Sequence, residues 1–374
     1  MVVEVPLRNV IFFTLRRQHL LQRADRDSAI RVIEDILGLN AQGALHYNLS
    51  LWNRVEGLDR GFIKSAVLDK RLLRSWLMRN TVHIMPRELA HLTRAALRES
   101  LVSEWNRWTV KTGSKEKQDS WEKHYAGVLE TLKNGPLTMS EIFDRMRMGV
   151  AEKRIMYRVV REMSLKGLIC NAASRGPWYH DTENTFADIS RWAPSLEKHD
   201  PAEAKAALLL RYLQGYGPAS VQDFSYWTGM KVSEAKQILE DVGPALAEVK
   251  AESQRGKLYL IKDDLSDLEA VEAEPSLRLL PKFDPLIMGH RDKTRIMGMD
   301  ARRRVFLPTA EVSATMLLNG RVEGVWSIRK LVGAWQLDLN PPRRLDGEAE
   351  EMLHDEIKRM EMFTHFKIDV RSIR

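Results

Sequence analysis

The sequence predicts a mainly α fold with β wings (α+β): three tandem winged-helix units followed by a small β-barrel and a C-terminal helix. Three observations carry this prediction. Gly135-Pro136-Leu137-Thr138-Met139-Ser140-Glu141 returns 82 residues later as Gly217-Pro218-Ala219-Ser220-Val221-Gln222-Asp223. Each copy has a helical pattern before it, a short then a longer helix after it, and two strand-like runs behind those. Past residue 265 the texture changes to short apolar runs broken by Gly, Pro and Asn. Three helices plus a hairpin is the winged-helix order, and a repeated order means a repeated unit.

Taken in order, residues 1–100 read as a divergent first unit, with helices at 27–37 and 44–55. The alternating segment 76–84 reads as a strand with Arg79, Thr81 and His83 on one face and Trp76, Met78, Val82 and Ile84 on the other. The second division, 101–200, opens on polar residues 101–123 that lack a clear period and read as a linker or mobile insertion. A helix at 125–133 follows, and Gly135-Pro136 stops it. Thr138 and Glu141 then supply a capping box, in which hydroxyl and acid satisfy the first free amides of the next helix. A helix at 151–166 and strands at 168–171 and 177–180 complete this unit. The third, 201–264, repeats the scheme with helices at 203–214 and 232–242, Ser220 and Asp223 as the cap, and strands at 246–250 and 257–261. The last division, 265–374, has strand-like runs at 277–280, 304–307, 314–318 and 325–328, with Asn319-Gly320 as a hairpin turn. A helix at 348–363 and a strand at 365–370 end the chain.

With 374 residues the chain buries a sizeable core, and its length suggests roughly two to three domains. Its 58 Lys and Arg against 51 Asp and Glu, a formal charge of +7, favour a polyanionic partner, although a basic protein without one is compatible with charge alone. A single cysteine, Cys170, excludes an internal disulfide framework and a cysteine-based zinc or iron–sulfur site. The expected compartment is therefore the reducing cytoplasm. Neither a cleavable leader nor an 18-residue apolar run is apparent.

The helix at 151–166 sets Arg154, Arg158 and Arg161 on one face, able to meet phosphates or simply to face solvent. Trp105, Trp108, Trp121 and Trp192 serve as base-stacking platforms or, more commonly, as packing. His46, His83, His180 and His290 lie far apart and read as structural or surface histidines. Phosphate-loop, dinucleotide, zinc-protease, nucleophile-elbow and zinc-deaminase signatures are all missing. One segment does not explain itself as packing: Asn40-Ala41-Gln42, bracketed by Gly38 and Gly43, where two amides flank a small residue between helices. Such amides can hold a water or a phosphate, or cap the neighbouring helices.

The sequence resembles the tandem winged-helix DNA glycosylases of the AlkZ/YcaQ type, which excise alkylated purines and unhook interstrand crosslinks. The resemblance runs over nearly the whole chain. It is carried by 37–42 (LGLNAQ), 79–83 (RNTVH), 216–229 (YGPA, DF and WTG), 280–285 (LPKFDP) and 319–326 (NGRVEGVW). It implies three winged helices and a β-barrel, and a catalytic motif of Gln, an apolar residue, then Gln or Asp, here Asn40-Ala41-Gln42. Gln42 matches, whereas Asn40 is one methylene, about 1.5 Å, shorter than the usual Gln. Asn80 stands where Gly is common, and both residues accept positive φ.

The resemblance further implies a monofunctional glycosylase acting on double-stranded DNA as a monomer, with Gln42 and Asn40 positioning water and sugar, and with no metal or organic cofactor. Candidate DNA contacts are Arg79, Thr81, His83, Arg154, Arg158 and Arg161. The alternative class is a non-catalytic winged-helix DNA-binding protein, a transcription factor or lesion-binding pseudo-enzyme.

Overall fold

A computed structural model of the chain describes residues 2–112, 121–252, 254, 256–341 and 344–372. The fold mixes helices with three sheets of six, five and three strands. Both repeat copies form the expected caps. Thr138 accepts from the Glu141 amide while Glu141 accepts from Thr138, and Ser220 and Asp223 do the same, so each short helix (Met139–Arg145, Val221–Thr228) starts where the chain emerges from Gly-Pro. The longer helices follow at Val150–Lys166 and Val232–Asp241.

The first two hairpins are not separate wings. Their strands join one six-stranded sheet in the order Leu39–Asn40, Val82–Pro86, Leu72–Trp76, Ile169–Asn171, Thr185–Asp188, Leu137–Thr138. The seam is a single Cα pairing, Arg74 opposite Asn171. The second strand of that hairpin is Thr185–Asp188 rather than 177–180, which lie in the long loop before it. The third hairpin, Leu246–Ala251 with Leu258–Ile261, takes the N-terminal strand Val2–Val5 as a parallel neighbour.

Three further expectations are corrected. The segment 76–84 is not one strand: Leu72–Trp76 and Val82–Pro86 are antiparallel, and the chain reverses through a short 3-10 turn, Met78–Asn80, with Arg79 and Asn80 at φ of 52° and 53°. Residues 101–111 belong to the helix Arg87–Lys111, which buries Leu101, Trp105 and Thr109, so they are not a linker; residues 113–120 lie outside the described residues. Residues 304 and 305 end a helix, Met299–Val305, and Phe306 makes only an isolated bridge to Val312.

The C-terminal sheet runs Leu277–Leu280, Ala314–Leu318, Arg321–Lys330, Ala334–Asn340, Lys367–Ser372, antiparallel up to its last, parallel pair. Asn319 and Gly320 turn its first hairpin at φ of 49° and 77°. This sheet shares a core with the first unit: Leu49, Trp52 and Ile84 pack with Leu279, Trp326, Leu337 and Phe363. The Asn40–Gln42 segment therefore rests on a base built from both ends of the chain.

Candidate active site

The segment bearing the two amides is held by backbone before any side chain acts. The helix Ala29–Asp35 ends in a turn with Leu37 and Gly38 at positive φ. A Cβ on Gly38 would stand 2.6 Å from Met85 Cγ and 2.9 Å from the Ile84 carbonyl, so glycine lets the chain press against the neighbouring strand. Leu39 and Asn40 then pair with Ile84 and His83, and the Ala41 amide donates to the Val82 carbonyl at 2.8 Å. At Gln42 the chain leaves the sheet and its side chain becomes exposed, before the helix Ala44–Trp52 begins.

Asn40 and Gln42 thus sit in different surroundings. Asn40 is 9% exposed, and its Oδ1 is buried with no hydrogen-bond partner among the described residues. Leaving a buried acceptor unpaired costs about 1–3 kcal/mol, so this oxygen is stabilised by any ligand or water that donates to it. His83, directly across the strand pair, is almost wholly buried, with Nδ1 3.0 Å from the Thr81 carbonyl. A carbonyl only accepts, so Nδ1 carries the proton and donates. Burial, reinforced by the nearby Arg79 charge, lowers the His83 pKa to about 3. The ring is neutral at neutral pH, so it brings no positive charge to a phosphate, and it packs beside Asn40 on the neighbouring strand.

Burial likewise lowers the pKa of His290, and it lowers that of His46 to about 4. These pKa values lie below that of an unfolded histidine, so the unfolded chain binds the extra protons, and their contribution to stability is full above about pH 6.5 and lost as pH falls. The midpoint of urea unfolding is expected to drop steadily from pH 7 to 5, with a shallower slope in His83→Gln. A flat profile over that interval would contradict the burial of these rings.

The predicted DNA contacts divide. Arg79 Nη1 donates to the Trp227 carbonyl at 2.6 Å and its guanidinium lies 5.7 Å from the Tyr226 ring, so it ties the hairpin tip to the helix Val221–Thr228. Thr81 Oγ1 donates back to the Met78 carbonyl, inside the turn. Arg161 lies between Trp76 and Trp105, 4.3 and 4.8 Å from their rings, and donates to the Asn80 carbonyl. Arg158 stands over the Trp108 ring at 5.7 Å. Only Arg154 of the three helix arginines is exposed. The expected single basic face therefore turns partly inward, because cation–π contacts with two tryptophans draw Arg161 into the packing. Trp105 and Trp121 are buried, while Trp108 is 43% exposed.

A polar cluster that sequence reading did not find adjoins the loop. Arg74 Nη2 donates both to the Ala41 carbonyl, at 3.3 Å, and to Asp181 Oδ2, at 3.2 Å. Asp181 Oδ1 accepts from the Tyr47 hydroxyl at 3.1 Å and from Ser174. Asp181 sits in an irregular loop with no local pattern to mark it.

These features can be set beside known proteins. The family described as DNA glycosylase AlkZ-like matches residues 33–363. A Streptomyces sahachiroi protein named interstrand DNA cross-link repair glycosylase is 27% identical over 338 residues, spanning 86% of this chain and 87% of its own. In fold, the chain is similar to the solved structure of the Streptomyces sahachiroi DNA glycosylase AlkZ, with a TM-score of 0.82, 24% identity, and coverage of 99% of this chain and 100% of that one.

Proposed function

The chain belongs to the AlkZ-like DNA glycosylase family, and from that premise we propose that it is a monofunctional glycosylase that excises N-alkylated purines and unhooks interstrand crosslinks in double-stranded DNA. The observation that carries this reading is the Asn40–Gln42 segment: one amide oxygen buried and unpartnered, the next amide exposed, both on backbone locked to a sheet. Two neutral amides cannot act as a strong base. They can orient a water and a sugar, which suffices for a cationic N-alkylated purine, already an activated leaving group. The glycosidic bond breaks with its electron pair passing to the purine, which leaves neutral. The water oxygen bonds to the anomeric carbon, and its proton passes to solvent. Gln42 orients that water, and Asn40 holds the sugar-phosphate or the same water.

An imine route would need a free amine beside the motif. Lys282, whose charge is felt at His46 on the helix that follows, is held 2.7 Å from Glu311. Alkylated DNA treated with the protein should therefore break at the lesion only after alkali; breakage without alkali would overturn the monofunctional reading.

We read the chain as winged-helix units at 1–100, 101–200 and 201–264 and a barrel-like unit with its C-terminal helix at 265–374, acting as a monomer on cytoplasmic, nucleoid-associated DNA. The repeated cap–helix–helix–hairpin order supports the second and third of these units. DNA contacts are assigned to exposed cations such as Arg154, with Arg158 beside it, and to phosphates rather than base edges. The logarithm of affinity should fall steeply with that of salt concentration, and Arg154→Ala should reduce the slope by roughly one. An operator sequence preferred more than about 10³-fold over random duplex would instead indicate a transcription regulator.

A further inference from the structure

The peptide plane between Ala41 and Gln42 sets the direction in which Gln42 leaves the sheet. Its carbonyl end accepts from Arg74, and its predecessor's amide is fixed in the ladder to Val82. Peptide planarity makes this a two-point constraint: with the Ala41 carbonyl held, the first soft torsion before the Gln42 side chain is the φ of Gln42. Arg74 is itself 5% exposed, on the strand Leu72–Trp76, and its charge is met by Asp181. Asp181 comes from the loop that joins the strands Ile169–Asn171 and Thr185–Asp188, the other half of the six-stranded sheet. That loop is anchored in turn. The Trp178 carbonyl accepts from Asn48, and the Trp178 ring stacks on Trp335 of the C-terminal sheet with 6.1 Å between centroids.

We propose that Asp181 is a positioning residue for the glycosylase reaction, holding the Gln42 amide in register through Arg74 and the Ala41 carbonyl. The proposal rests on the reading of Asn40–Gln42 as the reacting centre. Asp181 accepts three hydrogen bonds, from Arg74, Tyr47 and Ser174; of these side chains only that of Arg74 also donates to the Asn40–Gln42 segment, while Tyr47 stands on the helix that follows it. The Asp181 carboxylate keeps the guanidinium fork oriented, and the fork keeps the peptide plane. Misplacement of a water-orienting group by about 1 Å is enough to cost on the order of 10²-fold in rate.

The test uses the full-length protein. Asp181→Asn keeps the side-chain size and removes the charge that Arg74 answers. Single-turnover release of 7-methylguanine should fall about 10- to 100-fold, with affinity for the same duplex within about three-fold, the split expected of positioning rather than binding. Amide hydrogen exchange across residues 39–46 should quicken in the variant. Arg74→Ala should be at least as slow, and Asp181→Asn combined with it no slower, because both act on one path. Tyr47→Phe, which removes a different donor to Asp181, should stay within about three-fold of wild type in rate. Unchanged release with unchanged exchange overturns the proposal, as do losses in the double variant that multiply, or rate and affinity falling together. If wild type releases no base at all, the glycosylase reading fails, and the exchange of residues 39–46 alone decides whether Asp181 positions the loop.

Discussion

Gln42→Ala is expected to lower single-turnover base release by roughly 10²-fold or more while DNA affinity stays within a few-fold. Gln42 is exposed, stands one residue beyond the last ladder bond, and makes no side-chain hydrogen bond to any described residue. Its removal leaves no cavity and no orphaned partner in the fold, so thermal stability should not change. Any loss must then come from an interaction made as the base departs. A variant that binds ten-fold more weakly but reacts at the normal rate once bound would assign Gln42 to DNA recognition.

Asp284→Ala is expected to be the most destabilising single change considered. Arg54 and Asp284 are both 0% exposed and form a two-bond pair at 2.8 and 2.7 Å, to which Ser50 adds a third bond. Asp284 also caps the turn Pro285–Met288 through the Leu286 amide. Truncation strands a guanidinium in the core, at a cost of about 3–5 kcal/mol. In a chain of 374 residues that corresponds to a fall in Tm of about 4–6 °C. The pair Glu4–Lys250, fully open to water, provides the contrast: Glu4→Gln should leave the unfolding midpoint in place. Equal midpoints for the two variants would show that burial is not what gives the Arg54–Asp284 pair its weight.

How much of this was legible depended on how local the cause was. The two capping boxes and the Asn319-Gly320 turn are determined within four residues, and the structure has them as expected. The helix Leu7–Arg17 and its strand were invisible because every residue from Asn9 to Leu15 is buried, leaving no polar face to mark a period, and because the strand pairs with residues some 240 positions away. The hairpin at 72–86 was misread because apolar alternation persists through its turn, which uses Arg79 and Asn80 rather than Gly to reach positive φ.

At the candidate site, residue type and punctuation singled out Asn40 and Gln42, but that Asn40 is the buried one belongs to its pairing with His83 across the sheet. Charge spacing placed the arginines at 154, 158 and 161 on one face. It could not tell a cation facing solvent from one between Trp76 and Trp105, since the second tryptophan comes from another helix. Asp181 and Arg74 are 107 residues apart, and their meeting belongs to the joining of two hairpins into one sheet.

The central claim is that the Asn40–Gln42 loop removes alkylated purines from DNA, and the most direct measurement is mass-spectrometric detection of free 7-methylguanine, with enzyme in excess over methylated duplex. Wild type should release the base, Gln42→Ala should release it about 10²-fold more slowly, and Asn40→Gln, which restores the longer reach, should match or exceed wild type. Intact alkylated DNA with all three proteins, at concentrations where each is fully bound, would contradict the account and leave a DNA-binding protein without glycosylase chemistry.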